Sequence, residues 1–321
     1  MRFIQSLIAG TLAALAFAAS AQTFPNKTIR IVVPSTPGGS VDNLSRVIGA
    51  ELATRLGQPV IIVNRAGAGG SLAAESVATS APDGYTLIMA TVSSFATNVS
   101  LRAKLRYDPV KDFAPVSLVA TQNLVLLINP TIPAKSVKEL IALAKQQPGK
   151  LSFASAGVGT GGHLSGELFK MLAQVNLLHV PYKGVAPALV DVMGNQVSMT
   201  FGSIMSSLPH IKDGKLRALA VTSLTRSPAV SELPTMDAAG VKGYESETWY
   251  GLLAPADTPP DIVNRLSREV AAILKLPEVA RKLEGEGVEI RGSTPQEFGR
   301  FIQSEIGKWA SVIKAAGIQP E

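Results

Sequence analysis

The apolar residues of this 321-residue chain fall into two alternating patterns. Short, mostly apolar runs over 29–33, 60–63 and 86–90 have the length of strands. Between them apolar positions recur at helical spacing, as at Val41, Leu44, Val47, Ile48, Leu52 and Leu56. Runs of this kind predict strands buried on both faces, in parallel sheets covered by helices. The order opens with a strand over 28–34, a helix, a strand over 59–63, a short helix after the glycines of 66–70, and a strand over 85–90. A second series starts near Asn123, with strands predicted over 124–128, 151–155, 177–180, 197–201 and 216–222. Helices over 136–147, 163–174, 186–193 and 203–212 alternate with them. Ser136-Val137-Lys138-Glu139 predicts a capping box. Thr258-Pro259-Pro260-Asp261 and Thr294-Pro295-Gln296-Glu297 each predict a cap and a proline opening a helix of the mostly helical tail.

Two stretches rich in strand formers, about 115–126 and 248–254, predict crossovers between two lobes. The C-terminal helices then return to the first lobe and make it discontinuous. The expected division is 22–122 plus 250–321 for lobe 1 and 123–249 for lobe 2. No short repeat points to a solenoid.

Two glycine-rich turns stand out against this pattern, each between a strand and a helix. The first reads Ser35-Thr36-Pro37-Gly38-Gly39-Ser40-Val41-Asp42, the second Ala156-Gly157-Val158-Gly159-Thr160-Gly161-Gly162-His163. A strand that hands over to a helix through glycines leaves helix-start N–H groups open to an anion. Two such turns, about 120 residues apart, suggest one ligand held between similar halves.

Composition narrows the setting. Met1-Arg2, the apolar stretch from Leu7 and the small residues Ala19-Ser20-Ala21 predict a secretory leader over 1–21, cut near Ala21, and hence an exported chain. No later segment offers 18 uninterrupted apolar residues. The chain has no cysteine, which excludes disulfides and thiol catalysis. The formal charge of +6 is spread out, without a basic run or interleaved aromatics, and does not point to nucleic acid.

Other chemistries find little support. Gly157-Val158-Gly159-Thr160-Gly161-Gly162 contains a dinucleotide-type fingerprint, but no acidic residue ends a second strand about 20 positions on. The stretch Gly162-His163-Leu164-Ser165-Gly166 misses the nucleophile-elbow pattern by one position. No phosphate loop occurs, the three histidines lack paired-ligand spacing, and no metal or cofactor is expected. Asp42, in the first turn of a helix, serves the helix dipole, braces the loop or holds an ordered water rather than touching a carboxylate directly. His163 either donates to an anion or caps its turn. Ser93 and Ser94, after the third strand, are neutral donors at the edge where open α/β sheets bind ligands, or ordinary helix caps.

Taken together, the motifs resemble a known family. Val32-Val33-Pro34 through Pro37-Gly38-Gly39 and Asp42, Asn64-Arg65-Ala66-Gly67-Ala68-Gly69-Gly70 and Pro82-Asp83-Gly84-Tyr85-Thr86-Leu87 carry the resemblance in the first third. Tyr107-Asp108-Pro109-Val110-Lys111-Asp112-Phe113, His163-Leu164 with Gly166-Glu167-Leu168-Phe169, Val180-Pro181-Tyr182-Lys183-Gly184 and Gly214-Lys215-Leu216-Arg217-Ala218-Leu219-Ala220 continue it. The chain looks like the solute-binding proteins of tripartite tricarboxylate transporters, the Bug family. The resemblance implies a two-lobe type II periplasmic binding protein fold, each lobe a mainly parallel sheet flanked by helices. It implies a monomer that is not an enzyme, closes around a small organic carboxylate and delivers it to the membrane components of a transporter. A ligand-sensing receptor for a signalling partner and an exported α/β enzyme stay open as alternatives. The ligand-binding residues implied are Thr36, Pro37, Gly38, Gly39 and Asp42 in the first loop, with Ser93 and Ser94. From the second lobe come Gly157, Gly159, Thr160, His163 and Tyr182. Ser35, where the family often has an aromatic residue, and the loop Ser93 to Asn98 depart from its pattern.

Overall fold

The computed structural model describes residues 24–284 and 288–320, so the leader expected over 1–21 lies outside the described residues. Strand β1 (Ile29–Val33), helix α1 (Ser40–Leu56), β2 (Val60–Asn64), α2 (Ser71–Ala78) and β3 (Thr86–Thr91) follow in order. A π-type turn at Ser93–Thr97 and the single-turn α3 (Asn98–Leu101) lead to the 16-residue β4 (Phe113–Ile128). Next come α4 (Val137–Gln146), β5 (Ser152–Ser155), α5 (Gly161–Ala173), β6 (Leu178–Pro181) and α6 (Val185–Met193). The chain continues through β7 (Met199–Ser203), α7 (Ile204–Lys212), β8 (Arg217–Val221), β9 (Glu247–Pro255) and α8 (Pro260–Ile273). It ends with α9 (Pro277–Glu284), β10 (Val288–Ile290) and α10 (Pro295–Ala315).

Strand β4 organises the molecule. Its residues Phe113 to Asn123 pair with β9, whereas Leu124 to Ile128 pair with β7, and β8 takes the other side from Val125. One strand thus serves two sheets, changing partners between Asn123 and Leu124. The strand order is β2-β1-β3-β9-β4-β7-β5-β6, with β10 and β8 added on β4. The outer strands are parallel (β2-β1-β3 and β6-β5-β7), and the crossover strands β4 and β9 join them antiparallel. The expected parallel character therefore belongs to the outer part of each sheet. Two lobes result, linked by the crossover strands.

Core positions follow the sequence pattern, with one correction. Ile31, Val33, Leu44, Ile48 and Leu52 are fully buried between β1 and α1. By contrast β2 alternates, leaving Ile61 46% and Val63 37% exposed. It is the edge strand, and only one face finds a covering helix, so its apolar run does not mean burial on both sides.

Helix starts also depart locally from expectation. Ser136 caps α4 by accepting from the Glu139 amide, yet the Glu139 carboxylate reaches the Lys135 amide, one residue before the cap, so the box is only half formed. Thr258 caps nothing; its hydroxyl donates to the Pro255 carbonyl, and Pro259 stands at the cap position of α8. The box at Thr294 and Glu297 is complete.

Candidate functional site

All strands that are parallel within one sheet end on the same side, so the loops after β1, β2 and β3 converge, as do those after β5, β6 and β7. The two glycine turns lie at these ends, after β1 and after β5.

The first turn keeps Thr36, Pro37, Gly38 and Gly39 exposed, and Gly39 is the cap residue of α1 with no side chain bonded to the helix start. The first-turn amides of a 17-residue helix are thus left to other partners. Asp42 lies beneath, 1% exposed. Its carboxylate accepts from the Gly38 amide at 2.9 Å, from Asn64 Nδ2 at 2.9 Å and twice from Arg46 at 3.0 Å. Burial alone would raise this carboxyl; the Arg46, Gly38 and Asn64 bonds outweigh it and hold the group below its ordinary value. Asn64 also donates to the Ser35 carbonyl. Asp42 is therefore the brace of the loop, and the amide of Gly38 is spent on it.

The second turn is tied down in a similar way. The Gly159 amide donates to His163 Nδ1 at 3.1 Å, so His163 accepts where a ligand donor was one expectation. Its ring is 3% exposed and stacks on His179 at 4.0 Å. Burial first, then His179 and Lys170, lower His163 to about 3; burial and Lys170 lower His179 to about 4. Both rings are neutral, and the accepting Nδ1 puts the His163 proton on Nε2. His179 Nε2 lies 2.7 Å from Ser155 Oγ, which also accepts from the Gly157 amide. Thr160 Oγ1 donates to the Gly157 carbonyl at 2.7 Å, leaving α5 with no side chain bonded to its start either. The Tyr182 hydroxyl donates to Asp191 at 2.6 Å within the same lobe; burial and Asp191 push it up to about 12.

Contact between the lobes runs through Gly159. Its carbonyl accepts from Ser93 Oγ and Thr97 Oγ1, both at 3.0 Å. Its φ of +77° suits glycine, and a Cβ there would stand 2.6 Å from Leu101 Cδ1. Ser93, expected to face a ligand, instead serves this contact. Ser94 is fully buried, its hydroxyl bonded to Thr91 and its carbonyl to the Tyr107 hydroxyl.

A polar floor on the crossovers escaped the sequence reading. Gln122 on β4 stands opposite Thr248 on β9. Gln122 Oε1 accepts from the Tyr250 hydroxyl at 2.7 Å, and Tyr250 shares a buried cluster with Val41 at the start of α1. At the other end, a Cβ on Gly161 would overlap Thr248 Oγ1, so only glycine lets the start of α5 approach this closely. Gln122 is 1% exposed, and its Nε2 is buried without a partner among the described residues. Such an unmet group costs about 1–3 kcal/mol. The sequence did carry a signal: Thr121-Gln122-Asn123 is a polar interruption within an otherwise mostly apolar strand. Behind the strand, Trp249 donates to Glu305 at 3.0 Å and packs edge-on against Phe298 of α10.

The described residues contain no group of three or more His, Asp or Glu side chains placed to hold a metal. No described helix is long and apolar enough to cross a membrane.

Comparison with known proteins agrees with the two-lobe fold. The sequence signature described as Tripartite tricarboxylate transporter family receptor matches residues 44–318. Protein BugT of Bordetella pertussis (strain Tohama I) is 37% identical over 306 residues, spanning 95% of this chain and 94% of BugT. Among solved structures, Rpa4515 of R. palustris with adipate superposes with a TM-score of 0.88 at 41% identity, covering 93% of this chain and 100% of that one. MatC (Rpa3494) from Rhodopseudomonas palustris, with bound malate, gives 0.82 at 35% identity, covering 90% and 100%.

Proposed function

Because this chain belongs to the tripartite tricarboxylate transporter receptor family, whose members are binding receptors and not enzymes, we propose that it captures a small organic carboxylate between its lobes. One observation carries the reading: the uncapped starts of α1 and α5 flank the same neutral, donor-rich floor of Tyr250, Gln122 and Thr248. Helix-start amides replace the hydration of a carboxylate, and the positive ends of both helix dipoles favour its charge. Relatives holding adipate and malate support the ligand class.

In this reading Thr36, Pro37, Gly38 and Gly39 form one jaw, and Gly157, Gly159 and Thr160 the other. Asp42 and His163 act by holding those loops in shape, and Tyr182 forms part of the rim. The jaws belong to lobes divided as 22–122 plus 250–321 and 123–249. The bonds from Ser93 and Thr97 to Gly159 belong to the closed form, which buries the ligand and presents a joined surface to a membrane transporter. The protein works as an exported, periplasmic monomer.

Thermal unfolding against a panel of mono-, di- and tricarboxylates tests the reading. A bound acid stabilises the folded chain, by about 2.7 kcal/mol at one hundred times Kd, and so raises the melting temperature with concentration. A flat response to every acid overturns it.

A further inference from the structure

Three polar residues interrupt β4 where it leaves one sheet for the other, and they do different things. The Thr121 hydroxyl accepts from Arg291 Nε at 3.1 Å. Gln122 alternates to the opposite face, where its Oε1 takes the Tyr250 hydroxyl and its Nε2 takes nothing. Buried amide groups without partners are rare in folded proteins. A methionine would occupy similar space without that cost.

The neighbourhood says what would satisfy Gln122. Tyr250 packs in the same buried cluster as Val41 at the start of α1, and Thr248, directly opposite Gln122, abuts Gly161 at the start of α5. Neither helix start is capped by a side chain. The Arg46 guanidinium, one turn further along α1, is paired with Asp42. The site therefore offers amide and hydroxyl donors, which suits the oxygens of a carboxylate.

We propose that Gln122 Nε2 is the side-chain donor to the ligand's anchored carboxylate, completing from β4 the contacts made by the amides of α1 and α5. This assignment rests on the reading of the cleft as a carboxylate site. It makes Gln122 a determinant of affinity common to all acids bound, whatever the rest of the molecule is.

Calorimetric titration of wild type, Gln122→Met and Gln122→Glu with adipate, malate and the monocarboxylate hexanoate tests it. The expected result is that Gln122→Met weakens every acid the wild type binds by the same factor, about tenfold or more. Gln122→Glu, of equal size, weakens them further, because two carboxylates then face each other. The melting temperature of unliganded Gln122→Met stays within about 5 °C of wild type; should that variant fail to fold, Gln122→Glu carries the comparison. Unchanged affinity in either folded variant overturns the proposal, as does a loss confined to the dicarboxylates, which would place Gln122 at the far end of the ligand. If the wild type itself binds none of the acids, the underlying reading fails, and this shows before any variant is compared.

Discussion

Thr97 donates its buried hydroxyl to the Gly159 carbonyl at 3.0 Å, tying the turn after β3 in one lobe to the glycine turn of the other. The same carbonyl accepts from Ser93, so the two bonds hold one point of contact between halves that also meet along the crossover strands and where α10 packs on α5. Replacing Thr97 by valine keeps the shape and removes one donor. Since Ser93 still satisfies the carbonyl, the loss is about 1 kcal/mol. It falls on the closed form alone, so Thr97→Val should weaken ligand binding several-fold, chiefly through faster release. Stopped-flow measurement of dissociation checks this; an unchanged release rate would separate the contact from closure.

Gly39 offers a cleaner test of the first jaw. Its φ of −81° is open to any residue, and the nearest atom to an added Cβ is the Thr36 carbonyl oxygen at 3.9 Å. The fold therefore accepts a side chain here, while an incoming carboxylate would meet it at the helix start. Gly39→Leu should lose acid binding with its unliganded melting temperature unchanged. Full affinity in that variant would remove the first loop from the site.

For Asp42 the two available effects have opposite signs. Deleting a negative charge near an anion site would by Coulomb's law strengthen binding. Deleting the brace frees the Gly38 amide, Asn64 and Arg46, and lets the loop relax. Arg46 already neutralises the carboxylate, so the geometric loss should win. Asp42→Asn should weaken acid binding about tenfold and cost about 1–3 kcal/mol of stability, read by titration and urea unfolding. Tighter binding would show that the charge dominates.

How much of this was legible beforehand follows from which interactions are local. Strand and helix order, the change of series at Asn123, and the crossover character of 248–254 are carried by apolar runs and spacing. Asp42 was read as a brace because a helix-start acid facing an anion is electrostatically awkward. The turn-capping role of His163, four residues from Gly159, was one of its two sequence readings, whereas the carbonyl partners of Gly159 and the engagement of Ser93 depend on residues 62 to 66 positions apart. No pattern in one chain specifies those pairings. Gln122 lay between these cases, since its polar run was visible but its direction depends on β9, more than a hundred residues later.

The stacked imidazoles give the protein a dependence on pH whose sign is fixed. Unfolded histidines titrate near 6.5, whereas burial lowers His163 to about 3 and His179 to about 4. Between those values the unfolded chain binds protons that the folded chain refuses. Stability is therefore full above about pH 6.5 and declines as pH falls, by up to about 1.4 kcal/mol per histidine for each pH unit. The decline from His179 ends near pH 4 and that from His163 near pH 3. Because His163 Nδ1 holds the Gly159 amide, a proton forced onto it also releases the turn that meets Ser93 and Thr97. Urea unfolding from pH 7.5 to 4.5 should show the slope, and His179→Phe, which keeps a ring against His163, should remove about half of it. A slope unchanged by that substitution would assign the acid sensitivity to carboxylates elsewhere.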